Sequence, residues 1–492
     1  MKPIFAHVLL ATAISMLLAG CVSMAPQYQR PSASVAEQFG TTAVAGATAN
    51  ANANANAATA MPAWRDVFLE PRLQRTIALA LDNNRDLRVA MLQVEKDQAQ
   101  YRIQRAAQLP SLDASGSISR SRISRAASNT GAAQISESDS LQLGISGWEL
   151  DLFGRVRSLR DEALQTWLAT SENQRAVRLS LVAQVATAWL AVDADQQALA
   201  LATQTVDSQQ RTLRLSEARH AQGMASGLDL SQVQSSVDSA AVDLAKRSTQ
   251  LAQDRDALQL LLGAPLDPAL LPLPPASAAS VPDNAVALAQ LPSGLDSQVL
   301  LQRPDVLAAE HTLQAANADI GAARAAFFPS ISLTANLGHG SDALSTLFAA
   351  GSRSWSFVPS ITAPIFHAGA LKASLDAARI GKDIGVAQYQ KAIQQAFSEV
   401  ADALAERQHI DQQLRAQQAL VQANQRSYTL ADARYRIGLE GYLQALDAQR
   451  SLYAAQQDLI ALRQQKAGNR VTLFKVLGGG ADARSEEVAG PR

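Results

Sequence analysis

The sequence predicts a mainly α-helical chain that also contributes strands to a membrane β-barrel, built as one unit written twice. Three observations carry that reading. Parts of the chain match one another at offsets of 219 and 215 residues, a long proline-free stretch repeats apolar residues every seventh position, and short segments between helical stretches alternate apolar with small polar residues. Charge narrows the function classes: 43 Lys+Arg against 44 Asp+Glu give a net charge of −1, without the basic footprint of a nucleic-acid binder. The one cysteine, Cys21, excludes an internal disulfide framework, a cysteine-based zinc site and an iron–sulfur cluster. Beyond the extreme N-terminus no apolar run of ~18 residues reads as a membrane helix, so any route through a bilayer is expected to use strands.

Residues 1–20 read as a secretory signal: Lys2, then an apolar stretch from Ile4 to Leu18 broken by His7, Thr12 and Ser15, then Ala19 and Gly20. Leu18-Ala19-Gly20-Cys21 resembles a bacterial lipobox, which implies that Cys21 becomes the first residue and carries diacylglycerol and an N-acyl chain; an ordinary signal with a chance cysteine is the alternative. At ~0.8 kcal/mol per buried methylene, two or three acyl chains anchor a protein durably. Val22, where the resemblance would use Asp for inner-membrane retention, implies the outer membrane. The following 21–63 reads as a tether, with the low-complexity run 41–60 holding nothing apolar enough to bury.

The repeat sets the domain organisation. At an offset of 219, Asn84-Arg85-Asp86-Leu87 falls on Arg303-Pro304-Asp305-Val306, and Leu109-Pro110-Ser111-Leu112 on Phe328-Pro329-Ser330-Ile331. At 215, Gly154 falls on Gly369, Ala218-Arg219 on Ala433-Arg434, Gly223 on Gly438, and Leu262-Gly263 on Leu477-Gly478. The halves are 64–263 and 293–478, followed by a tail at 479–492. Between them 264–292 holds seven of the 18 prolines, which excludes long helix and central strand there.

Each half reads as helix, two strands, very long helix, tight turn, helix. The helical pattern over 155–222 corresponds to roughly 100 Å at ~1.5 Å per residue. Val185, Val192, Leu199, Val206 and Leu213 repeat in sevens, as do Leu230, Val237, Leu244, Leu251 and Leu258 after the turn, predicting an antiparallel coiled-coil hairpin. Gly223 and Gly438 supply the positive-φ stops, and Ser226 with Asp229 predicts a capping box that restarts the helix. The strands are expected at 111–119, 140–148, 330–338 and 354–365. Leu112, Ala114, Gly116 and Ile118 face one way and Ser111, Asp113, Ser115, Ser117 and Ser119 the other; Ile331, Leu333, Ala335 and Leu337 repeat the pattern. Leu141, Leu143 and Ile145, and Trp355, Phe357, Ile361 and Ile365, mark the partner strands. One face suits lipid and the other water, although soluble hairpins alternate in the same way.

Four strands cannot close a membrane barrel, because an open edge in lipid leaves backbone groups unpaired at several kcal/mol each. Two copies give eight strands with a filled interior; three give twelve strands and room for an aqueous lumen. The same threefold symmetry arranges twelve long helices as a tube. Abundant Ala and Gln with only 18% charged residues suit the wall of such a tube, and also suit an ordinary Ala-rich bundle.

Three runs then carry a resemblance: Trp148-Glu149-Leu150-Asp151-Leu152-Phe153-Gly154-Arg155-Val156-Arg157, the paired corners at Pro110 and Pro329, and Arg434-Tyr435-Arg436-Ile437-Gly438 through Tyr442-Leu443-Gln444-Ala445-Leu446-Asp447 to Leu452. From about residue 60 to 480 the chain resembles the TolC-type outer membrane factors, in the lipoprotein branch serving multidrug efflux. The resemblance implies a homotrimer with a twelve-stranded β-barrel in outer-membrane lipid and a twelve-helix periplasmic tunnel. It also implies a periplasmic adaptor and an inner-membrane pump, often of the resistance–nodulation–division type. A periplasmic gate is implied at the hairpin tips: Leu443 as an apolar ring, Asp447 as an acidic ring with Arg450 one turn along, and Asp229 on the first hairpin. Gln444 stands where some relatives carry a second Asp, which implies a weaker acidic ring. An exposed i,i+3 pair with Arg450 is the other reading of Asp447. The turns at Gly223, Ser226, Gly227, Gly438 and Gly441 are the implied adaptor contacts. Trp148, Phe153, Gly154, Pro364, Phe366 and Gly369 join barrel to helices, at a membrane rim by resemblance or as ordinary corner packing.

His220, His311, His339, His367 and His409 are scattered, with no metalloprotease spacing, nucleophile elbow, phosphate loop or dinucleotide fingerprint. The expectation is a non-enzyme without a cofactor beyond the acyl chains on Cys21, acting as an exit duct for drugs and other small molecules. A duct for secreted proteins or metal ions, and a periplasmic coiled-coil scaffold without a pore, are the alternatives.

Overall fold

Residues 111–264 and 365–490 hold no proline, and each stretch contains a helix of 67 residues, the two longest among the described residues. They are seen in a computed structural model that describes residues 23–32, 35–36, 39, 63–128, 131–274 and 297–479. The signal, Cys21, the 41–60 run, most of the tail and residues 275–292 of the connector lie outside the described residues. In order the elements are α1 (Trp64–Val67), α2 (Pro71–Asn83), α3 (Arg85–Ala106), β1 (Asp113–Ile123), β2 (Gln134–Leu150), α4 (Arg155–Ala221), α5 (Gly227–Leu262), α6 (Pro304–Ala325), β3 (Ser330–Ser341), β4 (Arg353–Thr362), α7 (Ala370–Arg436) and α8 (Tyr442–Val476). The chain divides into two units, one built from residues 1–32, 93–171 and 308–390, the other from 33–92, 172–307 and 391–492.

The second of these units holds the hairpins. Val185, Val192 and Val206 of α4 are buried, as are Leu251 and Leu258 of α5, so the sevens read from the sequence do form the inward seam. Around them Trp64, Phe68, Ile77, Trp189 and Phe474 complete an apolar cluster, in which the Trp189 indole N–H donates to the Leu270 carbonyl at 2.9 Å. This cluster explains a difference from the sequence reading. By length and composition α4 contains a window apolar enough to cross a membrane, and 44% of that window is buried inside the chain's own fold.

The duplication is visible in hydrogen bonds. Asn84 donates to the Leu261 carbonyl at 2.9 Å, and its repeat counterpart Arg303 donates to the Val476 carbonyl at 2.8 Å. Leu261 and Val476 are themselves repeat partners, so each half ties its first helix to the last turn of its closing helix. Gly263 ends α5 at φ +64, where a Cβ would lie 2.5 Å from the Asn83 carbonyl oxygen; only glycine fits.

Asp195 of α4 and Asp254 of α5 face each other across the first hairpin. Burial, followed by the hydrogen bond and negative charge of Asp254, pushes Asp195 up to about 7, against the opposing pull of Arg247. An acid whose pKa is raised on folding contributes stability that falls as pH rises towards the folded value. The thermal midpoint is therefore expected to drop as pH rises from about 4 towards about 7 and to level off above that, and Asp254→Asn is expected to flatten that dependence when melting is followed by circular dichroism.

The first unit holds the sheet, antiparallel throughout in the order β1-β2-β3-β4. The strands differ from the expected bounds: β1 begins and ends later, β2 extends six residues earlier and two later, β3 runs on to Ser341, and β4 stops at Thr362, leaving Pro364 and Ile365 outside. The pair β1–β2 reaches beyond the expected strand ends, with Ser121–Ile123 and Gln134–Asp139 added to the ladder, because the two strands remain in register from Asp113↔Gly144 to Ile123↔Gln134. Residues 23–32, read as part of a free tether, are docked along α6 through the hydrogen bonds described below.

Candidate functional site

Register assigns every strand residue to a face. In neighbouring strands Ala114, Leu143, Leu337 and Trp355 stand side by side, followed by Ile145, Ala335 and Phe357, then Trp148, Leu333 and Pro359, then Leu150, Ile331 and Ile361. Across these rows that face is apolar, with Trp355, Phe357 and Ile361 strongly exposed in the single chain, and past Ile118 and Leu141 the same face turns charged, where Arg120 pairs with Asp139. The opposite face carries Ser115, Ser117 and Ser119, Gln142, Ser140, Asn336, and Ser356 and Ser360. Its hydroxyls pair across strands, Ser117 with Ser140 at 2.8 Å and Ser332 with Ser360 at 2.7 Å. Gly144 opposite Asn336 leaves room for the amide, since a Cβ there would fall 1.9 Å from Asn336 Oδ1.

One irregularity keeps the apolar face continuous. Register shifts between Ile145 and Trp148, where Gly147 adopts φ +62 and its N–H donates to Thr334 Oγ1 at 3.1 Å. In uninterrupted alternation Trp148 and Leu150 would join the serine face; the bulge turns both onto the apolar one. At the joint that follows, Glu149 pairs with Arg155, Asp151 accepts the Arg157 backbone N–H at 2.8 Å, and Gly154 turns the chain at φ +76. Phe153 stacks on Phe328, beside Pro329, at 4.8 Å. The equivalent joint after β4 passes Pro364 and an 85% exposed Phe366 to Gly369 at φ +86. Pro110 stands between α3 and β1.

The hairpin tips repeat one device. Met224 N–H donates to the Arg219 carbonyl and Leu439 N–H to the Arg434 carbonyl, each closing its helix over a positive-φ glycine, Gly223 or Gly438. Ser226 and Asp229 form the expected capping box: Asp229 N–H donates to Ser226 Oγ at 3.1 Å, and Ser226 N–H and Oγ donate to the Asp229 carboxylate. The Asp229 carboxylate is thus engaged in the turn beside Gly227, whereas Gly441 caps α8 without a side chain. On α8, Leu443, Gln444, Asp447 and Arg450 are exposed while Tyr442, Ala445 and Leu446 are buried. Among the described residues no ion pair joins Asp447 to Arg450, so the i,i+3 reading gains no contact and Asp447 stands with Leu443 on an open face.

The sequence reading missed a clasp between the two hairpins. Arg219 Nη1 donates to the Tyr435 carbonyl at 2.9 Å, Arg219 Nη2 donates to the Arg436 carbonyl, and the guanidinium lies 4.9 Å over the Tyr435 ring. Tyr442 Oη donates to Gln209 Oε1 at 2.9 Å, and Gln209 Nε2 to Gln449 Oε1 at 2.8 Å. Arg434, the repeat partner of Arg219, instead pairs with Glu440 of its own turn at 2.7 Å. Equivalent arginines with different partners are invisible to a self-alignment.

A sheet with one lipid-type and one water-type face, its two outer edges unpaired among the described residues, in a chain with paired long helices, is the architecture of a membrane channel component. The outer membrane efflux protein model matches residues 76–264 and 295–479. The toluene efflux pump outer membrane protein TtgC of Pseudomonas putida is 46% identical over 472 residues, covering 96% of this chain and 95% of that protein. Outer membrane protein OprJ of Pseudomonas aeruginosa is 40% identical, with 98% and 97% covered. The solved open state of the Neisseria gonorrhoeae MtrE outer membrane channel superposes with a TM-score of 0.81 at 38% identity, covering 93% of this chain and 98% of that one. The chain belongs to the outer membrane efflux protein family and is an outer-membrane efflux channel component.

Proposed function

We propose that three copies close a twelve-stranded barrel continued by twelve long helices, and that the assembly is a passive exit duct with no reaction of its own. The observation that carries this is the four-stranded sheet whose outer strands β1 and β4 each keep one edge unpaired among the described residues. In lipid those edges must pair, and threefold symmetry pairs them while leaving a serine-lined lumen. Acyl chains on Cys21 hold the duct to the outer membrane. The partners are a periplasmic adaptor seated on the turns at Gly223, Ser226, Gly227, Gly438 and Gly441 and an inner-membrane pump of the resistance–nodulation–division type. Efflux of solvents and drugs, small apolar or amphipathic molecules, is the reading supported by relatives named for toluene and antibiotics. Crosslinking from the two tips to envelope proteins tests the partners: capture of an adaptor supports the reading, and capture of none contradicts it.

The gate lies at the tips, with Leu443 forming an apolar ring and Asp447 an acidic one around the threefold axis, and Arg450 flanking it. Three converging carboxylates repel one another and attract cations. The Arg219 clasp holds the second hairpin against the first through charge-assisted hydrogen bonds, each worth about 1.5–3 kcal/mol. Arg219→Ala is expected to raise the open probability of single channels in planar bilayers, and Arg434→Ala to do so less, since its partner lies in its own turn.

A further inference from the structure

Residues 24–30 lie antiparallel to α6 and are bound at four levels. Arg324 Nη1 donates to the Met24 carbonyl at 3.1 Å, and Asn317 Nδ2 to the Pro26 carbonyl at 2.8 Å. Between them Ala25 sits against Gly321, where a Cβ would come within 2.7 Å of Ala25 N and 2.6 Å of Ser158 Oγ. Further along, Arg30 donates from Nε and Nη2 to both oxygens of Glu310 at 2.8 Å, and Tyr28 Oη donates to Oε1 of the same carboxylate at 3.2 Å. Glu310 is only 5% exposed, so this buried charge has its partners supplied by the N-terminal segment. Ser23 Oγ lies 3.4 Å from Ser158 Oγ, in the first turns of α4.

The spacing leaves no slack. From Arg324 to Glu310 the helix rises roughly 21 Å at ~1.5 Å per residue, and six extended residues from Met24 to Arg30 span roughly 20 Å at ~3.3 Å each. Arg324 lies six residues before β3 begins, and Ser158 four residues after Gly154, so the upstream end of the segment is fixed at the strand–helix joints. Cys21 precedes Ser23 by two residues, a length of chain that reaches at most about 7 Å.

We propose that α6 carries a docking groove, formed by Glu310, Asn317, Gly321 and Arg324, for the chain's own residues 24–30, and that this docking registers the lipid anchor with the barrel rim. The inference rests on the reading of Cys21 as the acylated residue of an outer-membrane channel. The anchor is then a positioned part of the barrel wall, and only the chain beyond the docked segment is a leash. A plain tether would tolerate added length anywhere.

The test compares two insertions of ten Gly/Ser residues, one between Val22 and Ser23 and one within 41–60, alongside Glu310→Gln and Gly321→Leu. The readout is heat-modifiable protein in the outer-membrane fraction. The insertion after Val22 and both substitutions are expected to lower it at least threefold, and the insertion within 41–60 to leave it unchanged. Equal tolerance of both insertions overturns the inference, as does equal loss from both, which would make total length the controlling variable. Failure of the unaltered chain to reach that fraction would instead defeat the channel reading itself.

Discussion

Phe357→Arg should abolish assembly in the outer membrane, whereas Ser356→Arg, one residue earlier on the same strand, should leave assembly intact and reduce conductance. Phe357 stands in the middle of the apolar face, beside Ala335, and Ser356 stands on the serine face beside Asn336. An arginine on the lipid side near the bilayer midplane costs about 2–4 kcal/mol in each copy, before the lost burial of the phenylalanine ring is added. On the serine face the same side chain meets water; it narrows the lumen and adds positive charge. Outer-membrane fractionation with heat-modifiability gels reads the first outcome, and planar-bilayer recording reads the second. Equal effects of the two substitutions would contradict the facial assignment.

The second large effect is expected at the tips. Replacing both Leu443 and Asp447 by Ala should raise single-channel conductance several-fold in planar bilayers, because it removes both rings of the proposed gate together. Cation preference should fall as well, since the proposed ring would lose its carboxylates. Ser226→Ala serves as the contrast. It removes a cap worth about 1 kcal/mol and loosens the first turn of α5 without touching the ring. Unchanged conductance in the double variant would remove Leu443 and Asp447 from the gate.

Much of this fold is legible in the sequence because its determinants are local and repeated. The heptads at Val185, Val192 and Val206 specify a seam, Gly223 and Gly438 must adopt positive φ, and Ser226 with Asp229 caps over a span of three residues. The alternation around Leu141 and Leu143 likewise identifies the lipid-type face. Legibility ends where a feature depends on partners distant in sequence. The bulge at Gly147 becomes evident only against β3, since Trp148 reads as out of phase until Leu333 is placed beside it. Residues 23–32 look like linker because their partners are Glu310, Asn317 and Arg324, nearly three hundred residues away.

At the hairpin tips the local devices are legible in the same sense. Leu443, Asp447 and Arg450 follow helical spacing, and the structure leaves all three exposed while Tyr442, Ala445 and Leu446 are buried. The capping box is legible too, but not its consequence: a carboxylate that accepts two hydrogen bonds from Ser226 is held to its own turn. The Arg219 clasp carried no signal, because the repeat aligns Arg219 with Arg434 while the fold gives them different partners. Its one trace in the sequence is the pair of tyrosines, Tyr435 and Tyr442, flanking the second turn; their rings lie 5.4 Å apart beside the arginine.

The central claim is that one chain supplies only a third of the wall. Native mass spectrometry of the detergent-solubilised protein, with conductance recorded from the same preparation, measures this directly. Particles of three chains that conduct steadily are the expected result. A population of single chains that passes no current would contradict it.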